Sequence, residues 1–174
     1  MAFDEELAMA RRIARQAGEL ALQHRARGVE AETKVDLSPV TAADRDCERL
    51  IAHILAESFP ADGLEGEEGA LKAAASGRRW VIDPIDGTRD YLRRIPTWSV
   101  LIALEAAGQV EVGVCYLVEQ DEMYSAVRGG GAFANDRPIR VSSIADPGEA
   151  VLCVNSLNKG SEMPFAGRLM EWMK

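Results

Sequence analysis

The densest grouping of reactive side chains in the sequence is Trp80-Val81-Ile82-Asp83-Pro84-Ile85-Asp86-Gly87-Thr88. An apolar, β-prone run delivers Asp83 at its end, Pro84 has no N–H to give a neighbouring strand, and Gly87 permits a sharp turn before a short helix opens at Thr88. Asp83 and Asp86 then meet at one strand end, and the turn can point the carbonyl oxygen of Ile85 the same way. Carboxylate and carbonyl oxygens are hard donors and suit Mg²⁺, which is octahedral at about 2.0–2.1 Å and keeps water ligands. The N–H groups of Gly87, Thr88 and Arg89 at the helix start would face an anion, which the helix dipole favours. Asp-Pro and Asp-Gly are also common turn dipeptides, so on their own Asp83 and Asp86 are equally a turn and a helix cap.

Other acidic segments tilt that balance. Glu67-Glu68 lies between Gly66 and Gly69 after the apolar Leu64, a carboxylate pair on a loop that glycine lets approach closely, although adjacent glutamates are usually a solvated surface. In Lys34-Val35-Asp36-Leu37-Ser38-Pro39-Val40-Thr41-Ala42-Ala43-Asp44, the residues Thr41 and Asp44 have capping-box spacing. An ordinary cap explains them, and Asp44 can also reach the acidic cluster while it caps.

The elements that must position these groups follow from periodicity. From Phe3 to about Arg27, Leu7, Ala10, Ala14, Ala17, Ala21 and His24 recur at three- and four-residue spacing, which predicts an amphipathic helix. A polar link leads to a second helix from Thr41-Asp44 through the stripe Cys47, Leu50, Ile51, Ile54 and Leu55 to about Phe59-Pro60. The segment 64–69 is read as a short extended piece, 72–79 as a surface loop or short helix, and Trp80–Asp83 as a compact strand. Trp98–Leu104 and Val110–Leu117 read as an antiparallel hairpin, with further strands at Met123–Val127, around Ala132-Phe133 and at Val151–Val154, and turns at Gly129–Gly131 and Asn135–Pro138. Helices early and hairpins late predict an α+β fold, a layered αβ sandwich with helices packed on a mainly antiparallel sheet. Ser161-Glu162-Met163-Pro164 reads as another helix start, with Phe165, Leu169, Trp172 and Met173 on one face where the chain ends at Lys174.

Composition narrows the class. With 174 residues, 47% of them hydrophobic and 28% charged, the chain can form a core of domain size. The 20 Lys+Arg against 28 Asp+Glu give a net charge of -8, which argues against a phosphate-neutralising basic surface and so against nucleic acid as a partner. Cys47, Cys115 and Cys153 are far apart, the start is acidic, and no stretch approaches the roughly 20 apolar residues of a membrane span. A reduced, cytoplasmic protein without a membrane partner is expected. His24 and His53 sit at helical positions and read as structural.

Together the segments 34–44, 64–69, 80–88 and the later 129–142 resemble, in order, the inositol monophosphatase-like family of metal-dependent phosphatases, over nearly the whole chain. The resemblance implies that Glu67, Asp83, the Ile85 carbonyl and Asp86 hold Mg²⁺, with Asp83 bridging two ions. It implies a water activated near Thr88 and Asp44, and a phosphoryl group cradled by the N–H groups of Gly87 and Thr88 beside Arg89. Glu67, Asp44 and Thr88 are thus the expected catalytic set, acting on a small phosphorylated substrate without a covalent phosphoenzyme. Thr88-Arg89 followed by Pro96-Thr97-Trp98 is more similar to the histidinol-phosphatase branch, while Asp90-Tyr91-Leu92 and Arg93-Arg94 depart from the expected pattern.

Family members also carry, further on, a WD-type motif whose aspartate completes the second metal site, and 1–174 has no such segment. The resemblance therefore implies an αβ domain over 1–157 that carries the metal site, the start of an incomplete αβ region over 158–174, and a second αβ half largely missing. Two functions are expected: a Mg²⁺-dependent phosphomonoesterase acting on histidinol phosphate or an inositol phosphate, or a truncated relative that binds metal or partners with little turnover. A homodimer would cover the apolar face at Phe165, Leu169 and Trp172.

Overall fold

The computed structural model describes residues 3–28, 31–33 and 39–151, and groups the chain into two units, Met1–Arg140 and Val141–Lys174. Helix α1 runs Asp4–Arg27, with Asp4, Glu5 and Glu6 at its positive end and His24, Arg25 and Arg27 at its negative end, charges that complement the dipole. It stops at Gly28, whose φ of 94° a side chain would resist. The polar link contains a small hairpin, β1 (Ala31–Thr33) antiparallel to β2 (Pro39–Thr41), and α2 follows over Ala42–Ser58 behind the expected capping box.

The main sheet is built from β3 (Gly63–Gly66), β4 (Leu71–Lys72), β5 (Arg78–Asp86), β6 (Ser99–Ala106), β7 (Gln109–Leu117), β8 (Glu122–Val127), β9 (Gly131–Ala134) and β10 (Arg137–Ile139). Helix α3 (Thr88–Arg93) separates β5 from β6. The strand order is β10-β9-β8-β7-β6-β5-β3-β4, and every neighbouring pair is antiparallel except β3 with β5. This is the expected α+β layering of helices on a mainly antiparallel sheet.

Period-2 alternation decides which face is buried. Val100, Ile102 and Leu104 of β6 and Val112, Val114 and Tyr116 of β7 are buried with Trp80, Ile82 and Met123 against Ile13, Ala14 and Ala17 of α1 and Ile51 and Leu55 of α2. Leu101, Ala103, Gly113, Cys115 and Tyr124, on the opposite face, remain half-buried. Helix α1 packs tightly at Gly18, where an added Cβ would lie 2.9 Å from Val118 Cγ2, just past the end of β7, and 3.0 Å from Tyr116 Cε1.

Several expectations change. Segment 72–79 is neither a helix nor wholly a loop: Leu71-Lys72 pairs as β4, and β5 already begins at Arg78. The strand does not end at Asp83, because β5 continues to Asp86 through a register shift in which Asp83 pairs with Leu101 and Asp86 with Ser99. Pro84 cannot donate to the ladder, so the chain bulges there and resumes. Only Asn135-Asp136 forms the later turn, with both φ values positive, while Arg137-Pro138 opens the edge strand β10, where a missing N–H is tolerated. Apart from Val151, which is not in a strand, the expected strand 151–154 lies outside the described residues, as do the helix from Ser161 and the boundary near 157. Among the described residues no helix is long and apolar enough to cross a membrane.

Gly18→Val should destabilise the chain by about 1–3 kcal/mol, the usual cost of overpacking, despite valine's better backbone propensity in a helix. Urea unfolding checks this; an unchanged midpoint would show that α1 can lift off the sheet at no cost.

Candidate active site

Helix α2 delivers the first carboxylate. Thr41 Oγ1 accepts hydrogen bonds from the N–H groups of Ala43 at 3.1 Å and Asp44 at 3.4 Å, while Asp44 Oδ2 accepts from the N–H of Thr41 at 2.8 Å and from its hydroxyl at 2.5 Å. The cap leaves Asp44 Oδ1 to face Thr88, whose hydroxyl lies 3.3 Å from it and 3.2 Å from the Ile85 carbonyl oxygen. Asp44 is only 1% exposed. Burial pushes its pKa above the ordinary aspartate value, against the hydrogen bonds from Thr41 and Thr88 that pull it down.

The bulge in β5 sets the second group. The parallel pairing of β3 with β5, extended by the Glu67 N–H to Ile82 O bond of 3.1 Å, brings the Glu67 turn beside the end of β5. Asp83 is half-buried there, and its pKa is pushed up to about 8, first by burial, then by the charges of Glu67 and Asp86 and a hydrogen bond shared with Glu67. Its Oδ1 is buried with no hydrogen-bond partner. Asp86 is exposed at the strand end, with its Oδ2 3.4 Å from the Ser99 hydroxyl. Ile85 turns its side chain into the core, 1% exposed, while its carbonyl lies by Thr88.

Gly87 makes the turn into α3 with φ 89°, and an added Cβ would meet Trp98 Cα at 3.4 Å. The N–H groups of Asp90 and Tyr91 close the first turn of α3 on Gly87 O at 2.8 and 3.0 Å, and a helix start offers no internal acceptor to the N–H groups before them, those of Thr88 and Arg89. Tyr91 anchors α3 from below: its hydroxyl donates to Ala21 O of α1 at 2.7 Å and its ring meets that of Trp98 edge-on at 5.0 Å. Arg25 of α1 lies over both rings and pairs with Glu119, which also accepts from Trp98 Nε1 at 3.1 Å. Arg89, Arg93 and Arg94 are exposed around α3. His24 pairs with Asp46 at 3.0 Å and His53 with Glu57 at 3.5 Å.

The candidates thus form two adjoining groups: Asp44, Thr88 and the Ile85 carbonyl joined by hydrogen bonds, and Glu67, Asp83 and Asp86 joined by charge. Among the described residues, no three His, Cys, Asp or Glu side chains close into a metal cage. The donor set nonetheless fits a hard divalent cation: Asp83 has a buried oxygen to offer, its neighbours repel it, and Mg²⁺ binds through one or two carboxylates plus carbonyl and water. Sequence reasoning missed Glu48, which is buried beneath the Glu67 turn. Its position one helical turn after Asp44 was the available signal.

A sequence model of the inositol monophosphatase family matches residues 3–165. The chain is 44% identical over 142 residues to a histidinol-phosphatase of Chlorobaculum parvum, covering 81% of this chain and 55% of that one. It is 39% identical over 130 residues to an inositol-1-monophosphatase of Rhizobium meliloti, covering 74% and 46%. Among solved structures, the extragenic suppressor protein suhB of Bartonella henselae superposes with a TM-score of 0.78 at 33% identity, covering 81% of this chain and 56% of that one. The chain therefore spans about half the length of these relatives, and across that span both its sequence and its fold place it in the inositol monophosphatase family.

Proposed function

We propose that this chain carries the metal and phosphate site of a Mg²⁺-dependent phosphomonoesterase acting on a small phosphorylated alcohol, histidinol phosphate or an inositol phosphate. The observation that carries the reading is the buried, unpartnered Asp83 Oδ1 beside the charges of Glu67 and Asp86. Repulsion of this kind destabilises a fold unless a cation answers it. Glu67, Asp83, Asp86 and the Ile85 carbonyl are the residues that would hold Mg²⁺. The chemistry a bound Mg²⁺ supplies is neutralisation of the phosphate and of the leaving oxygen, and acidification of water.

The chain's own residues orient the attack. The Thr88 hydroxyl can donate to Asp44 Oδ1, 3.3 Å away, leaving its lone pairs to accept a hydrogen bond from the attacking water. As that water gives up its proton to Thr88 Oγ1, the hydroxyl proton can pass to Asp44, whose raised pKa suits it to receive one. Asp44 does not drift during this, because its other oxygen is held by the Thr41 cap. The N–H groups of Gly87 and Thr88, with Arg89, receive the phosphoryl oxygens at the start of α3. Thr88-Arg89 and Pro96-Thr97-Trp98 put histidinol phosphate first among the substrates, in keeping with the histidinol-phosphatase relative.

Phosphate release from histidinol phosphate, inositol phosphates, sugar phosphates and adenosine bisphosphate tests the reading. Mg²⁺-dependent release from one of them, abolished by EDTA and lowered about 10²–10⁴-fold by Thr88→Ala, is expected from loss of proton handling. Retained Mg²⁺ binding with no phosphate released from any substrate would leave a metal-binding chain with little turnover.

Asp83 also makes stability depend on pH. Its folded carboxyl titrates at about 8 against an ordinary 3.8, so between these values the folded state holds a proton that the unfolded chain releases. Stability from this group is full below about pH 4, falls as pH rises towards 8, and is flat above. In EDTA, Asp83→Asn should therefore melt higher than the parent chain at pH 8, with the gap closing towards pH 4. Melting curves across that range check it, and a parent chain that is the more stable one at pH 8 would refute the crowding.

A further inference from the structure

Glu48 is 3% exposed on α2, one turn after Asp44. Its Oε2 accepts from the Glu68 N–H at 2.7 Å and its Oε1 from the Ala70 N–H at 2.7 Å. The peptide from Gly66 to Ala70 wraps this carboxylate, closed by the Gly66 N–H to Ala70 O bond of 2.7 Å and tied to β5 by the Glu67 N–H to Ile82 O bond of 3.1 Å. Gly66 makes the approach possible. A Cβ there would lie 2.3 Å from both Cδ and Oε2 of Glu48, so the need is for space at that position.

Burying a carboxylate is expensive, and two charge-assisted N–H bonds are the kind of partner that offsets it. Two backbone N–H groups on a surface turn could be satisfied by water at no such cost. What water cannot do is fix where the turn sits. Glu48 holds the turn just after Glu67, at Glu68 and Ala70, and Gly66 packs against the same carboxylate just before it; the turn so held carries Glu67 beside Asp83.

We propose that Glu48 is a positioning residue for Glu67, and that α2 sets both halves of the site from one rigid face: Asp44 orients Thr88, and Glu48, one turn along, orients the Glu67 turn. The role rests on the metal-site reading above, in which Glu67 is a Mg²⁺ ligand. Residues that orient metal ligands through hydrogen bonds typically contribute about 10–100-fold to metal affinity.

The test uses this chain with Glu48→Gln, which keeps the volume but loses one acceptor, and Gly66→Ala, which displaces the same carboxylate without changing charge. Both variants should speed amide hydrogen exchange at Glu68 and Ala70 and weaken Mg²⁺ binding, measured by calorimetric titration, about 10–100-fold. Faster exchange with wild-type Mg²⁺ affinity overturns the proposal, because Glu48 would then serve the turn's stability alone. A second readout needs no metal. In EDTA at about pH 9, where Asp83 is ionised beside Glu67, Glu67→Gln should raise the melting temperature of the parent chain by relieving repulsion with Asp83, and should do nothing in the Glu48→Gln background. Equal effects in both backgrounds overturn the proposal. A parent chain that fails to bind Mg²⁺ overturns the metal-site reading, and the metal-free cycle still decides whether Glu48 holds Glu67 against Asp83.

Discussion

Carboxyl groups crowded together at a break in one strand are the constraint on which the rest of the site depends. Asp83 sits half-buried at the bulge of β5 with Glu67 and Asp86 as its nearest sources of negative potential, and its carboxyl responds by holding its proton to about pH 8. A free chain would relax such crowding by moving one residue away. Here none can move alone: Asp83 and Asp86 are strand residues paired with β6, and Glu67 follows a strand held parallel to β5. The unfavourable electrostatics are sustained by the burial of Trp80, Ile82, Ile85 and Trp98 beneath them, each at most 2% exposed.

Two helices convert that core into geometry. From α2 come Asp44 and Glu48, on one face and one turn apart, each spending its oxygens on hydrogen bonds that fix another element. From α1 come Ala21 O and Arg25, which seat the rings of Tyr91 and Trp98 and so set the angle at which α3 leaves Gly87. Neither helix end is stabilised by propensity alone. The packing of Gly18 on Val118 and Tyr116, and of Cys47 against Ala17, lets the two helices lie close enough to the sheet for these short bonds to form.

Much of this was legible in the residues. The 3.6-residue period of α1 and α2, the cap at Thr41-Asp44, and the alternation in β6 and β7 each have a local cause, and each appears where that cause puts it. The acidic segments were legible as chemistry because Pro84 and Gly87 punctuate the chain around Asp83 and Asp86. The short strands β4 and β10 and the hairpin β1–β2 were not, since strands of two or three residues have no periodicity to read and owe their pairing to a neighbour.

By itself the sequence determined the fold class, the cap of α2, the turn at Gly87 and the types of group available for chemistry, because these depend on side-chain period, missing donors and permitted φ values within a few residues. Tertiary structure alone decided that β5 runs through Pro84 instead of ending at Asp83, and that its neighbour β3 is parallel to it. It alone decided how closely Thr88 meets Asp44, at 3.3 Å, and that Glu48 reaches under Gly66 to hold the turn bearing Glu67. Those contacts join residues about twenty to forty-four positions apart. A local pattern carries no information about them, because what brings them within hydrogen-bonding distance is the packing of helices on a shared sheet.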